Sequence, residues 1–143
     1  IDLHIKIIPY ATAPESVLHM ISGGPRLVKK GLLYVTKYEE KFRADIAKQR
    51  AARTAVGITA GNQLLLVAVD GLPKGKTNRN KASSRGMTLE ELARFMLDLG
   101  STDAMNLDGG SSTTMWVKGE VVTNCTPGFE RGVSNALLVF PIN

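Results

Sequence analysis

Two aspartates stand in matched positions. Asp70 closes the apolar run "LLLVAV" and precedes Gly71, and Asp108 closes "DAMNL" and precedes Gly109 and Gly110. Ser111, Ser112, Thr113 and Thr114 follow directly. A tight turn between two apolar segments needs only residues that tolerate positive φ, so four hydroxyls in succession exceed what a turn requires. Paired carboxylates at strand ends suit general acid–base work or glycosyl transfer, one protonating a leaving group while the other stabilises or attacks the developing cation. Glycines let the main chain come close to a ligand and can offer N–H groups to an anion, and the hydroxyls can hold phosphate or sugar oxygens. The pattern fits equally well a pair of ordinary turns whose hydroxyls face water.

The elements between the aspartates decide whether they can meet. Residues 63–69 read as a strand, apolar almost throughout and so expected to be buried on both faces. A polar, basic loop over 72–86 follows, of a length that is usually functional or mobile. Then comes the clearest helix, 88–99: Thr88 is a good N-cap with Glu91 three residues on, the apolar stripe runs Leu89, Leu92, Ala93, Met96, Leu99, and Gly100 stops it. The strand 103–107 ends at Asp108. Strand–loop–helix–strand permits a crossover that leaves the two strands running the same way, with their C-terminal ends on one edge of a sheet, where ligands gather.

The remaining segments complete a sheet. Residues 54–59 pair with 63–69 about a turn at Gly61-Asn62. "RLVKKGLL" gives two short strands around Gly31, "IDLHIKII" alternates like a strand, and 37–52 fits a helix or an ordered loop. "TTMWV" and "EVVT" form a hairpin about Lys118-Gly119, and 132–140 is the last strand. The expectation is a mixed α/β (α+β) single domain over residues 1–143. Its mixed central sheet holds 63–69, 103–107 and 132–140 and is flanked by helices, with 88–99 on one face.

Composition narrows the function. Hydrophobic residues make up 43% and charged residues 22%, which suits an ordinary folded core. No apolar run is long enough to span a membrane. The net charge of +5 favours anionic partners. Nucleic acid ranks low, because aromatics are 6% of the chain and none interleaves with the basic loop 74–85. The single cysteine, Cys125, excludes an internal disulfide and is read as an inert small residue. His4 and His19 lie outside every motif, Trp116 is expected in the core, and Asn124-Cys125-Thr126 is a weak glycosylation sequon. Two carboxylates with hydroxyls suit a Ca²⁺ or Mg²⁺ ion, but there is no dense carboxylate cluster and no His or Cys set, so the metal stays open and no cofactor is certain.

"SGGPRLVKKG", "RTAVGIT", "LLLVAVDG", "SSRGMTLEELARFMLDLGSTDAMNLDGGSSTTMWVKGEVV" and "ERGVSNALLVF" occur in this order. Together they resemble the phosphodiester glycosidase family over about residues 20–140. The resemblance implies a hydrolase that cleaves a glycosyl phosphodiester. Asp108 and Asp70 would be the catalytic pair, and Arg53, Gly71, Ser84, Asn106, Gly109, Gly110, Ser111, Ser112, Thr113 and Arg131 would bind the substrate. Arg53 and Arg131 each open an apolar strand and could grip phosphate bidentately. Glu91 is read as a helix cap. Many relatives have a third glycine at Ser111 and an arginine at Leu72. They also carry an earlier Asn-Gly stretch with paired aromatics that is not found here, so the chain is expected to be the later part of a longer protein. Bacterial relatives are often exported, which implies a periplasmic, cell-wall or extracellular location. The implied partner is a phosphorylated or anionic carbohydrate. The other function class is a catalytically silent module that binds anionic cell-surface or cell-wall glycans.

Overall fold

The computed structural model describes residues 20–71, 84–124 and 129–140. The expected strand over "IDLHIKII" and most of the basic loop lie outside them. The described residues form an α+β fold. Five strands, β1 (Arg26–Lys29), β2 (Leu32–Leu33), β3 (Arg53–Thr59), β4 (Leu64–Val69) and β5 (Ser101–Asn106), lie in the order β2-β1-β5-β3-β4. Every neighbouring pair is antiparallel. Because β4 and β5 both run against β3, they run the same way as each other, and their C-terminal ends share one edge. The crossover relation expected from the sequence is therefore present, with β3 placed between the two strands.

Local chemistry explains the elements. Asn62 adopts φ 57° in the β3–β4 turn, a conformation asparagine tolerates. Two short helices differ in what supports them. In α1 (Ala44–Lys48) only Ala47 is buried, so most of 37–52 is ordered loop. In α2 (Leu89–Asp98) Thr88 accepts from the Glu91 N–H while the Glu91 carboxylate accepts from the Thr88 N–H, the expected reciprocal cap. Leu89, Leu92, Ala93 and Met96 are fully buried and pack on Leu27, Val28, Ala55, Val67 and Ala104 of the sheet. Strand pleating puts Arg53, Ala55 and Gly57 of β3 on this helix-facing side, and small residues there let α2 lie close.

A hairpin of β6 (Trp116–Val117) and β7 (Glu120–Val121) follows β5. Its turn places Lys118 at φ 50° and Gly119 at φ 96°, the paired positive φ of a two-residue hairpin. Between β5 and the hairpin lies a single turn of 3-10 helix, Gly110–Ser112.

Three expectations are corrected. Residues 132–140 form no strand; they run without ladder partners, and Leu138, Val139 and Phe140 are among the most exposed apolar side chains. Apolar composition signals a demand for burial but sets no ladder register, and none of the described strands pairs with this segment. β4 is an edge strand with Leu66 exposed, not a central strand buried on both faces. Trp116 is 65% exposed at the hairpin, not in the core.

The core depends on one helix face. Met96→Ala and Leu92→Ala are each expected to lower stability by about 2–5 kcal/mol, read by chemical denaturation, whereas Arg94→Ala on the exposed face of α2 should cost far less.

Candidate active site

The expected site residues gather where β3 begins. Val69 pairs with Arg53, so Asp70 lies beside Ala52. On the other side Asn106 pairs with Ala55. The Leu107 N–H donates to the Thr54 carbonyl (2.8 Å) and the Gly110 N–H to the Ala52 carbonyl (2.8 Å), which sets Asp108 beside Arg53. Two strand spacings separate the aspartates, about 10 Å at the main chain.

Three glycines make this convergence possible. A Cβ on Gly71 would lie 2.3 Å from the Ala52 nitrogen, one on Gly86 2.2 Å from the Ala51 carbonyl oxygen, and one on Gly109 2.9 Å from the Ala52 oxygen. Segments arriving after β4, before α2 and after β5 thus all rest on the main chain of residues 51 and 52. Ala51 and Met87 also exchange hydrogen bonds there, 3.2 and 3.0 Å. The glycines serve the approach of protein to protein. The Gly110 N–H is spent on the Ala52 carbonyl and is not offered to a ligand.

The hydroxyl run divides its work. The Ser111 hydroxyl accepts from Arg131 Nη1 (2.9 Å), holding that exposed guanidinium over the 3-10 turn. Thr113 is buried, and its hydroxyl pairs with the Thr54 hydroxyl (3.3 Å), pinning the loop to β3. Ser112 and Thr114 are half-buried. The Ser84 hydroxyl accepts from the Gly86 N–H (3.1 Å) and shapes the entry to α2.

The two carboxylates differ in surroundings. Asp108 is exposed and, among the described residues, unpaired. Asp70 accepts on both oxygens from Asn124: the main-chain N–H reaches Oδ1 at 2.9 Å and Nδ2 reaches Oδ2 at 2.7 Å. Sequence reasoning passed over Asn124 as part of a sequon. Hairpin geometry could have found it, because a stem that leaves the site at Thr113 and turns at Lys118-Gly119 returns near residue 124.

Two expected ligands point elsewhere. Arg53 is 4% exposed; its Nε donates to the Met87 carbonyl and its Nη2 to those of Ile46 and Gln49. Its position on the helix-facing side of β3 directs it inward, where it braces the 43–50 segment. Burial lowers its pKa, partly offset by nearby Glu90. Asn106 is likewise buried, its Nδ2 donating to the Gly24 and Leu107 carbonyls (both 2.8 Å), while Oδ1 has no partner among the described residues. Both residues shape the site from beneath. Among the described residues no three His, Cys, Asp or Glu side chains come together as a metal-binding group, and no helix is long and apolar enough to cross a membrane.

The buried Lys37 ammonium ties this underside together, donating to the Ala47 carbonyl and to the Glu90 carboxylate. For Glu90, desolvation raises the pKa, but the Lys37 hydrogen bond and the charges of Lys37 and Arg53 outweigh it, so the net shift is downward.

In this α+β fold, glycine-lined strand ends carry two aspartates to one edge of the sheet, with an exposed arginine and hydroxyls on the loop after the second. Residues 3–140 match the model of the family described as phosphodiester glycosidase, and the chain belongs to that family. It is 30% identical over 115 residues to the Bos taurus N-acetylglucosamine-1-phosphodiester alpha-N-acetylglucosaminidase, and 28% identical over 116 residues to the Homo sapiens enzyme of the same name. Each alignment covers 74% of this chain, but only 20% and 21% of those proteins, so the chain spans about a fifth of their length. Among solved structures, the zebrafish N-acetylglucosamine-1-phosphodiester alpha-N-acetylglucosaminidase catalytic domain, auto-inhibited by its pro-peptide, superposes with a TM-score of 0.61 at 29% identity. That match covers 79% of this chain and 39% of the other. A hypothetical protein from Synechocystis gives a TM-score of 0.61 at 28% identity, over 73% of this chain and 18% of the other.

Two measurements probe the underside of the site. Gly86→Ala places a methyl group against the Ala51 carbonyl at a residue with φ 75°. Overpacking and left-handed strain together should cost about 2–5 kcal/mol, seen as a lowered denaturation midpoint. Glu90 has a folded pKa below its unfolded value of about 4.3, so its contribution is full above that value and is lost as pH falls through the folded one. Glu90→Gln should therefore flatten the acid limb of a stability-versus-pH curve; an unchanged limb would deny the coupling.

Proposed function

We propose that this chain carries the catalytic face of a hydrolase acting on a glycosyl phosphodiester. The observation that supports the reading best is that Asp70 and Asp108 flank the start of β3, with the Ser111–Arg131 pair on the loop after Asp108, in a chain of the phosphodiester glycosidase family. A phosphodiester bound there needs its negative charge compensated, and Arg131 stands exposed beside the loop that carries Asp108. A guanidinium can hold phosphate through two parallel N–H bonds. Its hydrogen bond to Ser111 limits the positions it samples before substrate arrives.

Cleavage of the bond between the anomeric carbon and the phosphate oxygen leaves a phosphate monoester, already a good leaving group. Much of the stabilisation then comes from placing positive charge and hydrogen-bond donors against it. A carboxylate on the sugar side supports the developing positive charge, attacks the anomeric carbon or takes a proton from water. Asp108 suits that task because its carboxylate is exposed and unpaired among the described residues. Asp70 stands one strand beyond β3. Arg53, with Nε and Nη2 donating to three carbonyls, acts by holding the β3 start in place.

The direct test is a screen of the full-length protein against sugar-1-phosphodiesters, with and without chelator, reading released sugar and phosphate monoester. Asp108→Asn keeps the shape and one acceptor oxygen but cannot carry charge or transfer a proton. It should lower kcat by on the order of 10²-fold or more, with a smaller effect on KM, and leave the melting temperature unchanged. An Asn variant that melts like the parent and keeps parental kcat would remove Asp108 from the chemistry. Tight binding of an anionic glycan with no product released from any diester would favour the binding-module reading.

A further inference from the structure

The hairpin after the site is fixed at both feet. Its outgoing foot is held by the Thr113–Thr54 hydroxyl pair. Its stem closes through the Val122 N–H to the Met115 carbonyl (2.8 Å) and the Met115 N–H to the Thr123 hydroxyl (3.1 Å). The returning foot is Asn124, which grips Asp70 with main chain and side chain together. Thr54 pairs with Ala68, two residues before Asp70, so both feet rest on the same stretch of β3 and β4.

A one-point contact would leave a carboxylate free to rotate about its last torsion. A contact at each oxygen, from two donors of one residue, fixes both its position and its plane. Both donors are N–H groups that do not titrate, and an ionised carboxylate has about four acceptor sites, so the grip leaves lone pairs for a further partner. Asp108 has no such holder among the described residues.

We infer that Asn124 is a positioning residue: its two-point grip orients Asp70 within the site and divides labour between the aspartates. Asp70 serves as a fixed acceptor that holds a substrate hydroxyl or the attacking water, and Asp108 is the mobile carboxylate that takes part in bond cleavage. The inference rests on the hydrolase reading above and adds to it a residue outside the family pattern recognised in the sequence. The grip also makes the hairpin part of the site, since any swing of its stem pulls on Asp70.

The test is a double-mutant cycle on the full-length protein with a sugar-1-phosphodiester that it turns over. Asn124→Ala removes the Nδ2 contact and should lower kcat/KM by on the order of 10-fold. Asn124→Asp, which sets a like charge against Asp70, should lower it further. In an Asp70→Asn background, Asn124→Ala should change kcat/KM less than 2-fold, because the residue through which it acts is already altered. Fully additive losses, or a loss that tracks a fall in melting temperature, would overturn the positioning role. Amide hydrogen exchange at Asn124 gives a readout that needs no turnover. Its protection should fall in Asp70→Ala, and unchanged protection would overturn the grip itself. If the parent turns over no phosphodiester while the Asn124 amide loses protection in Asp70→Ala, the grip stands and the hydrolase reading fails, carrying the division of labour with it.

Discussion

The close approach of three glycines to the main chain of Ala51 and Ala52 governs this fold. Each glycine sits where a Cβ would collide with fixed main-chain atoms rather than with a flexible side chain. A flexible neighbour could rotate away at little cost, but two peptide units at the start of a paired strand cannot. The three segments reach this point from different elements, so their mutual spacing follows from one contact. That spacing puts the aspartates either side of β3 and sets Gly86 at the entry to α2. A larger residue at any of the three would move a whole segment, and with it a candidate functional group.

Charge beneath the site reinforces this arrangement. Arg53 and Lys37 are buried cations whose partners are mostly carbonyls of the 43–51 segment and the carboxylate of Glu90. Cations so committed stiffen a loop that is otherwise weakly held, since α1 buries only Ala47. They also separate two kinds of basic residue in a chain of net charge +5. Arg53 and Lys37 are spent on the fold, and Arg131 keeps donors directed at solvent.

What could be read from the sequence was what local chemistry decides. The reciprocal cap of Thr88 and Glu91, the one-sided stripe of α2 and the positive-φ turns at Asn62 and Lys118-Gly119 follow from short-range rules, and the structure has them; the same-edge relation of Asp70 and Asp108 followed instead from the strand–loop–helix–strand order. The inward turn of Arg53 was legible in principle. Strand pleating puts it on the side of Ala55 and Gly57, where only small residues leave room for a helix. Asn106 shares that side, through its pairing with Ala55. The reading of 132–140 as a strand failed for a different reason. Apolar, β-branched composition states a preference, but a strand also needs an edge in register, which composition does not supply. The grip of Asn124 on Asp70 joins residues far apart in the chain, so no local motif marks it; only the length of the hairpin stem brings residue 124 back to the site.

The strand order has a consequence for how the molecule assembles. β3 and β4 are joined by a tight turn and can zip together early, at small loop-closure cost. β5 is different: it must settle between β1 and β3, and both pairings close long stretches of chain. Contacts of that kind form late, because chain entropy is lost before they return any stabilisation. Asp70 therefore takes its place with the first hairpin, whereas Asp108 and its loop reach the β3 start only when the last central strand docks. Opening that withdraws β5 breaks the sheet at its centre, so the two aspartates keep their places either side of β3 only as long as the whole sheet does.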